Sequence, residues 1–282
     1  MIARISPDLV RAPALVAERG GALGRPMHLL AITSSTNEDA KRGAREDAPH
    51  GSTWVAEEQQ TGRGRQGRVW HSPRGENLLV SVLARLACPP ARLPPVALIA
   101  GLAVRDAVAR AASGVRIGIK WPNDVLVVEA DTAGRAGWKK IAGMLVEAIT
   151  VGNRVDAVVI GLGINVHTRD FPMDLAERAT SVALVSRDPP DRATILADVL
   201  ASLDRDLHVV AERGLGLFRA RLEACDLLRG RVVRNDSGDV GVASGIDDEG
   251  RLLVRREDGV LVRWSAGEVH LGSTPERSED AD

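Results

Sequence analysis

Residues 61–73 read TGRGRQGRVWHSP, and the reading of this stretch decides between two fold classes. Gly62-Arg63-Gly64-Arg65-Gln66-Gly67 matches the G-x-G-x-x-G pattern of a dinucleotide-binding unit. That pattern should open a helix and be followed about 20 residues later by an acidic side chain. Here Pro73 and an extended apolar run follow, and no Asp or Glu occurs between Glu76 and Asp106. The dinucleotide-binding reading of this loop is therefore rejected. What remains is a glycine-rich backbone carrying Arg63, Arg65 and Arg68, with no acidic residue from Thr61 to Arg74. Glycine lets such a loop approach a ligand closely, and guanidinium forks suit phosphate or carboxylate.

On the N-terminal side, residues 28–33 and 52–58 read as strands. Between them Ser35 and Glu38 have the spacing of a capping box, which predicts a helix to about Arg45. On the C-terminal side residues 77–86 read as a long strand, and Pro94-Pro95 opens an apolar helix to about Ala112. Residues 115–120 form a strand that delivers Lys120-Trp121-Pro122-Asn123-Asp124 to a turn. Residues 125–128 and 139–147 read as a hairpin with a polar, glycine-rich tip at 129–137. Another buried strand, 154–166, is followed by helices near 191–213 and 216–224. From residue 229 to 271, short β-branched runs alternate with Asp, Asn and Gly turn signals, which predicts a small all-β barrel. The expected division is a variable lead-in at 1–27, a catalytic part at 28–227, the barrel at 228–272 and an acidic, disordered tail at 273–282.

With 282 residues the chain can bury a large core. Its net charge of -1 gives no global signature of nucleic-acid or membrane-surface binding. Apolar runs fall short of the roughly 18 residues of a membrane span, and the N-terminus has no signal-peptide core, so a cytoplasmic location is expected. Cys88 and Cys225 are too few and too separated for a metal framework and read as inert thiols. No Walker A motif, nucleophile elbow or H-E-x-x-H helix occurs. Of 37 basic residues only Lys41, Lys120, Lys139 and Lys140 are lysines. A compact ammonium does what a guanidinium does not, and Lys140 begins a strand that should pair with the one leaving Asp124. Two lysines, an aspartate and an arginine loop at one end of a sheet suit an enzyme that handles an acid and a triphosphate.

Five motifs, in order, then carry a resemblance: Ser35-Thr36-Asn37; residues 59–68, QQTGRGRQGR; Lys120-Trp121-Pro122-Asn123-Asp124; Lys140-Ile141-Ala142-Gly143 with Glu147; and Gly161-Leu162-Gly163-Ile164-Asn165. Across residues 28–271 the chain resembles biotin protein ligase. The resemblance implies an α+β fold: a central mixed sheet with flanking helices, like class II aminoacyl-tRNA synthetases, plus a C-terminal SH3-like β-barrel. It implies that biotin and ATP, with Mg2+, give biotinyl-5′-AMP, and that a lysine of the biotin carboxyl carrier protein then takes the biotinyl group. Carried over by position, Ser35, Thr36, Asn37 and Gln59 would bind biotin's ring. Arg63, Gly64 and Arg65 would hold its carboxylate and the adenylate phosphate. Lys140 would face the reacting oxygens, and Lys120 and Asp124 would serve phosphates, Mg2+ and the incoming lysine. Arg68, Trp70, Asn123 and Asn165 would complete the adenylate pocket; Trp121 reads equally as core.

The arginine loop is expected to be mobile without ligand and ordered over biotinyl-AMP, shielding it from water. Residues 1–27 leave no room for a helix-turn-helix, so a monofunctional ligase without operator binding is expected, to be checked by gel shift. A monomer and a homodimer are both open. The competing readings are a lipoate or octanoate protein ligase and a non-catalytic biotin- or carboxylase-binding protein.

Overall fold

The computed structural model describes residues 4–86, 93–130, 136–152 and 154–271. Its first part runs α1 (Pro7–Val10), α2 (Ala12–Arg19), β1 (Met27–Leu30), α3 (Thr36–Arg45), β2 (Thr53–Ala56), β3 (Leu78–Ala84), α4 (Leu93–Ala111), β4 (Arg116–Lys120), β5 (Asp124–Ala130), β6 (Ala136–Val151) and β7 (Arg154–Ile164). Then come α5 (Met173–Ala176), α6 (Val182–Val185), α7 (Arg192–Arg213), a 3-10 turn at Gly216–Phe218 and α8 (Arg219–Cys225). The stretch read from sequence as one helix at 216–224 is thus split into a turn and a short helix. The four-residue helices α5 and α6 carry too little periodicity to be seen beforehand.

Seven strands form one mixed sheet in the order β1-β2-β3-β7-β6-β5-β4. Only β1 and β2 pair in parallel; the other neighbours are antiparallel. Strand alternation divides the side chains between two faces. Leu78, Val80 and Val82 of β3 and Val158, Ile160 and Leu162 of β7 join the main core, where α4 packs on the sheet and α7 on α4. Leu83, Ala157 and Val159 point the other way and pack with Ala40, Ala44 and Trp54 beneath α3. By the same alternation Ser81, Gly161 and Gly163 lie on the α3 face. Leu9, Ala12 and Val16 of the N-terminal helices and Leu23 after them also enter the main core, with α2 packed on α7.

The C-terminal strands β8 (Val232–Asn235), β9 (Val240–Ile246), β10 (Leu252–Arg255), β11 (Leu261–Trp264) and β12 (Val269–Leu271) form an antiparallel sheet ordered β11-β10-β9-β8-β12. Its inner residues Val233, Ala243, Leu252 and Val254 belong to the same core as the large sheet. Gly250, in the turn between β9 and β10, has φ 78°. A Cβ there would meet Pro95 N at 3.0 Å, so glycine alone lets this turn seat on the start of α4. The Gly250 carbonyl accepts the Trp121 Nε1–H at 2.8 Å. Trp121, 2% exposed, therefore joins the two sheets and is core rather than ligand surface.

Among the described residues no helix is long and apolar enough to cross a membrane. Cys225 is buried, and its thiol is pushed up to about 11 by burial, in keeping with an inert thiol. Cys88, most of the hairpin tip at 131–135 and the acidic tail lie outside the described residues.

Two histidines should make the fold sensitive to acid. Burial, then neighbouring His208, holds His50 below its ordinary 6.5 against a weaker pull from Asp204. Burial, then Arg192, does the same to His167. The unfolded chain therefore binds protons first as pH falls. Stability contributed by the neutral imidazoles is complete above 6.5 and is lost as pH drops through the depressed values. The melting temperature should fall between about pH 7.5 and 5.5, and His50→Gln should flatten that dependence. An unchanged slope in the variant would remove His50 from this role.

Candidate active site

The floor of the site is a set of missing side chains. On the α3 face, Gly161 of β7 lies between Ser81 of β3 and Leu145 of β6, and one row along Gly163 pairs with Gly143. A Cβ at Gly161 would come within 2.3 Å of Asn37 Oδ1, and one at Gly163 within 2.7 Å of the Trp70 ring. Period-two glycines in β7 thus recess one face while Ile160, Leu162 and Ile164 fill the core on the other.

At one end of this floor sit Ser35, Thr36 and Asn37, all buried. The expected capping box does not form: Ser35 is the N-cap residue of α3 but makes no side-chain cap bond, and Glu38 pairs with Lys41 at 2.8 Å. The cap comes instead from Gln59, whose Oε1 accepts the Thr36 N–H at 2.7 Å and lies 3.0 Å from the Thr36 hydroxyl. A free helix-start amide is thereby joined to the chain that leads into the arginine loop. Ser81 Oγ–H donates to Asn37 Oδ1, and Ser81 Oγ is 2.8 Å from Thr36 Oγ1.

At the other end the loop folds over Gly143 and Gly163. Gly64 N–H donates to Arg68 O at 2.7 Å and Trp70 N–H to Gly62 O at 3.0 Å, so the Gly64 amide is engaged within the loop. Gly67, with φ 72°, allows the reversal. Trp70 comes to rest on the glycine floor with Lys140 Nζ 5.4 Å from its ring centre, a cation–π contact. Lys140 Nζ lies 2.7 Å from Asp124 Oδ1. The pairing follows from a bulge in the β5–β6 ladder between Val125 and Leu126, while Lys139 pairs with Glu129 at 3.2 Å. Asn123 accepts from Arg65 Nη1 at 3.0 Å and donates to Met144 O at 2.9 Å, so it orients the arginine.

A shallow cleft opens between this cluster and the C-terminal sheet, lined by Arg65, Arg68, Lys120, Asp124 and Glu268 among others. Arg68 Nη1 pairs with Glu268 at 2.6 Å. Burial pushes the Lys120 ammonium below the ordinary lysine range against the pull of Asp124 and Glu268. Arg63 is exposed at the rim.

Of five buried side-chain atoms without a hydrogen-bond partner among the described residues, three lie here: Trp70 Nε1, Asn165 Oδ1 and Asp124 Oδ1; the others are His50 Nε2 and Trp264 Nε1. Asp124 Oδ1 is ion-paired with Lys140 but outside hydrogen-bond geometry. Asn165 donates through Nδ2 to Thr180 O at 3.0 Å. Orphans of this kind are rare in a finished core and mark places where a polar ligand completes the bonding. The arrangement can hold a polar ring beside Asn37, an anion beside Lys140 and Arg65, and further phosphates in the cleft.

Sequence reasoning placed most of these residues but missed Ser81 and Glu268. Ser81 had a usable signal, being the lone hydroxyl in the run Leu78-Leu79-Val80-Ser81-Val82-Leu83. Glu268 had none, since it reaches the site only through the packing of the second sheet.

Comparison with known proteins gives the family and the fold. Residues 29–165 match the biotin/lipoate A/B protein ligase family and residues 231–272 the biotin protein ligase C-terminal domain. The chain is 34% identical over 257 residues to the bifunctional ligase/repressor BirA of Bacillus spizizenii, covering 89% of this chain and 75% of that protein. It is 34% identical over 261 residues to the biotin--[acetyl-CoA-carboxylase] ligase of Mycobacterium tuberculosis, covering 89% and 91%. It superimposes on biotin protein ligase from Aquifex aeolicus in complex with biotin and ATP with a TM-score of 0.72 and 28% identity, covering 88% of this chain and 99% of that one.

Proposed function

The chain belongs to the biotin protein ligase branch of the biotin/lipoate A/B protein ligase family, and from that premise we propose that the glycine-floored site is where it performs the family's two steps. It is an ATP-dependent biotin--[biotin carboxyl-carrier protein] ligase, using biotin and ATP and acting on biotin carboxyl carrier domains.

In the first step a biotin carboxylate oxygen attacks the α-phosphorus of ATP. The bond to the bridging oxygen breaks and pyrophosphate leaves with that electron pair. In the second step the carrier lysine, as a neutral amine, attacks the acyl carbon of biotinyl-5′-AMP. The bond from that carbon to the phosphate oxygen breaks, AMP departs, and the amine proton is released. The observation that carries this reading is the meeting of Lys140, Asp124, Trp70 and Arg65 over Gly143 and Gly163, beside the buried Ser35–Asn37 cluster.

In this reading Ser35, Thr36, Asn37 and Gln59 hold the ring of biotin. Arg63 and Arg65 hold its carboxylate and the α-phosphate, while Gly64, its own amide spent on Arg68 O, serves by letting the backbone come close. Lys140 concentrates positive charge where negative charge grows in both transition states. Lys120 and Arg68 receive the outer phosphates, Trp70 and Asn165 take the adenylate, Asn123 holds Arg65, and Asp124 orients the incoming amine. Asp124 and Glu268 are the carboxylates lining the cleft, and Glu268 is committed to Arg68. Asp124, paired with Lys140 but with an oxygen left outside any hydrogen bond, would be the residue to hold a Mg2+ beside the phosphates. When bound, that ion would neutralise phosphate charge. We further read the large sheet as class II synthetase-like, the C-terminal sheet as an SH3-like barrel, and the location as cytoplasmic.

Purified protein should catalyse biotin-dependent ATP–pyrophosphate exchange and add the mass of one biotinyl group to a carrier domain. Exchange driven by lipoate or octanoate but not by biotin would refute the assignment.

A further inference from the structure

An asparagine amide has a donor end and an acceptor end of nearly the same shape, and its neighbours decide which way it faces. Asn37 lies flat against Gly161, and its Nδ2 donates to Glu147 Oε2 at 2.7 Å and to Leu145 O at 3.4 Å. A carboxylate only accepts. Turning the amide over would set its carbonyl oxygen against the Glu147 oxygen, so the orientation is locked. The other Glu147 oxygen takes Lys41 Nζ at 2.7 Å, and Lys41 also reaches Glu38 at 2.8 Å. Hydrogen bonds that it donates to Glu147 and Glu38 hold the Lys41 ammonium above its ordinary value despite burial, the largest single influence. Behind Asn37 one ammonium is thus shared by two carboxylates, in a position partly shielded from water.

With the donor end occupied, Asn37 turns Oδ1 toward Ser81, which donates to it. An amide oxygen has two lone pairs, and among the described residues Ser81 takes only one. The polarity of this corner is therefore set from behind: a carboxylate on β6 occupies the N–H groups, and an acceptor remains.

We propose that Glu147, paired with Lys41, is a positioning residue for biotin specificity: it presents the Asn37 carbonyl, not its NH2, to a ring N–H of a cyclic urea. This rests on the assignment of the Ser35–Asn37 cluster to the biotin ring. Glu147 makes no contact with the ligand. Its effect is exerted through the direction of one amide, so it bears on biotin recognition and not on ATP or on the chemistry near Lys140.

The test is biotin-dependent pyrophosphate exchange by the full chain, with KM for biotin and for ATP measured separately. Glu147→Gln removes the charge and lets the two Asn37 orientations compete. Its biotin KM should rise about tenfold or more, the scale of a hydrogen bond to a charged partner, with kcat and ATP KM within about twofold. Asn37→Asp should fare as badly, because two carboxylates then abut. The double variant N37D/E147Q should recover biotin KM to within about threefold of wild type, since the glutamine amide can donate to one oxygen of the new carboxylate while the other still offers an acceptor. If Glu147→Gln does not fold, the N37D and N37D/E147Q pair decides alone. Exchange with an unshifted biotin KM in E147Q, or a double variant no better than N37D, overturns the proposal. A wild-type chain without biotin-dependent exchange overturns the ring-site reading and this proposal together.

Discussion

Lys140→Ala should lower the rate of biotin-dependent ATP–pyrophosphate exchange by about 10²–10³-fold, the range for losing one preorganised group aimed at developing charge. The ammonium lies 2.7 Å from Asp124 Oδ1 and above the Trp70 ring, in a space that exists because residue 143 is glycine. A Cβ there would stand 2.9 Å from Lys140 Nζ. This crowding explains why arginine should rescue poorly, since a planar fork needs room that the glycine floor provides only for a compact charge. The loss should appear in kcat more than in the biotin KM, because the Ser35–Asn37 cluster proposed to hold biotin's ring lies at the other end of the floor. Circular dichroism would verify that the variant folds, as it should with Lys140 on a partly exposed site surface. Exchange within about threefold of wild type would remove Lys140 from the reaction.

Arg192→Met should destabilise the protein by about 3–5 kcal/mol, the usual cost of stripping one partner from a buried ion pair. The Arg192 and Glu57 side chains are each 1% exposed and lie 2.7 Å apart. Arg192 also binds Asp8 at 2.7 Å and donates to Asn77 O at 3.3 Å. Burial works to raise the Glu57 carboxyl, but hydrogen bonds from Arg192 and Ser6 outweigh it and hold it below its ordinary value. One guanidinium thus ties the two feet of the arginine loop, Glu57 before it and Asn77 after it, to α7 and to the N-terminal helices. Replacing Glu57 as well, in E57Q/R192M, should recover part of the loss, because no buried carboxylate is then left unpaired. Urea unfolding of the single and double variants measures both quantities. A single-variant loss below about 1 kcal/mol would show that water or relaxation solvates Glu57 in place of the arginine.

These two residues also differ in how legible they were. Lys140 could be singled out from sequence because lysine is scarce in this chain and because the residues around it form one of five ordered motifs. Arg192 is one arginine among many, and its partners Asp8 and Glu57 stand 184 and 135 positions away. The cap of α3 makes the same contrast. Ser35 and Glu38 carry the local pattern of a capping box, yet the helix-start amide of Thr36 is taken by Gln59, 23 residues on.

By itself the sequence determined what depends on near neighbours: the order of the main strands and the longer helices, the rejection of a dinucleotide-binding loop, the change of texture into a second β-rich part, and the arginine loop and lysines offered as candidates for the site. Periodicity, proline and glycine placement, and ordered motifs are local properties, and they survive without knowledge of distant partners. Only the tertiary structure decided that Gly161 and Gly163 share a face with Ser81, that Trp70 seats on the second of them, that Glu268 reaches back to Arg68, and that Glu147 accepts from the Asn37 amide. Each of those follows from sheet register and packing between segments far apart in the chain, where a shift of one residue would turn every side chain to the opposite face.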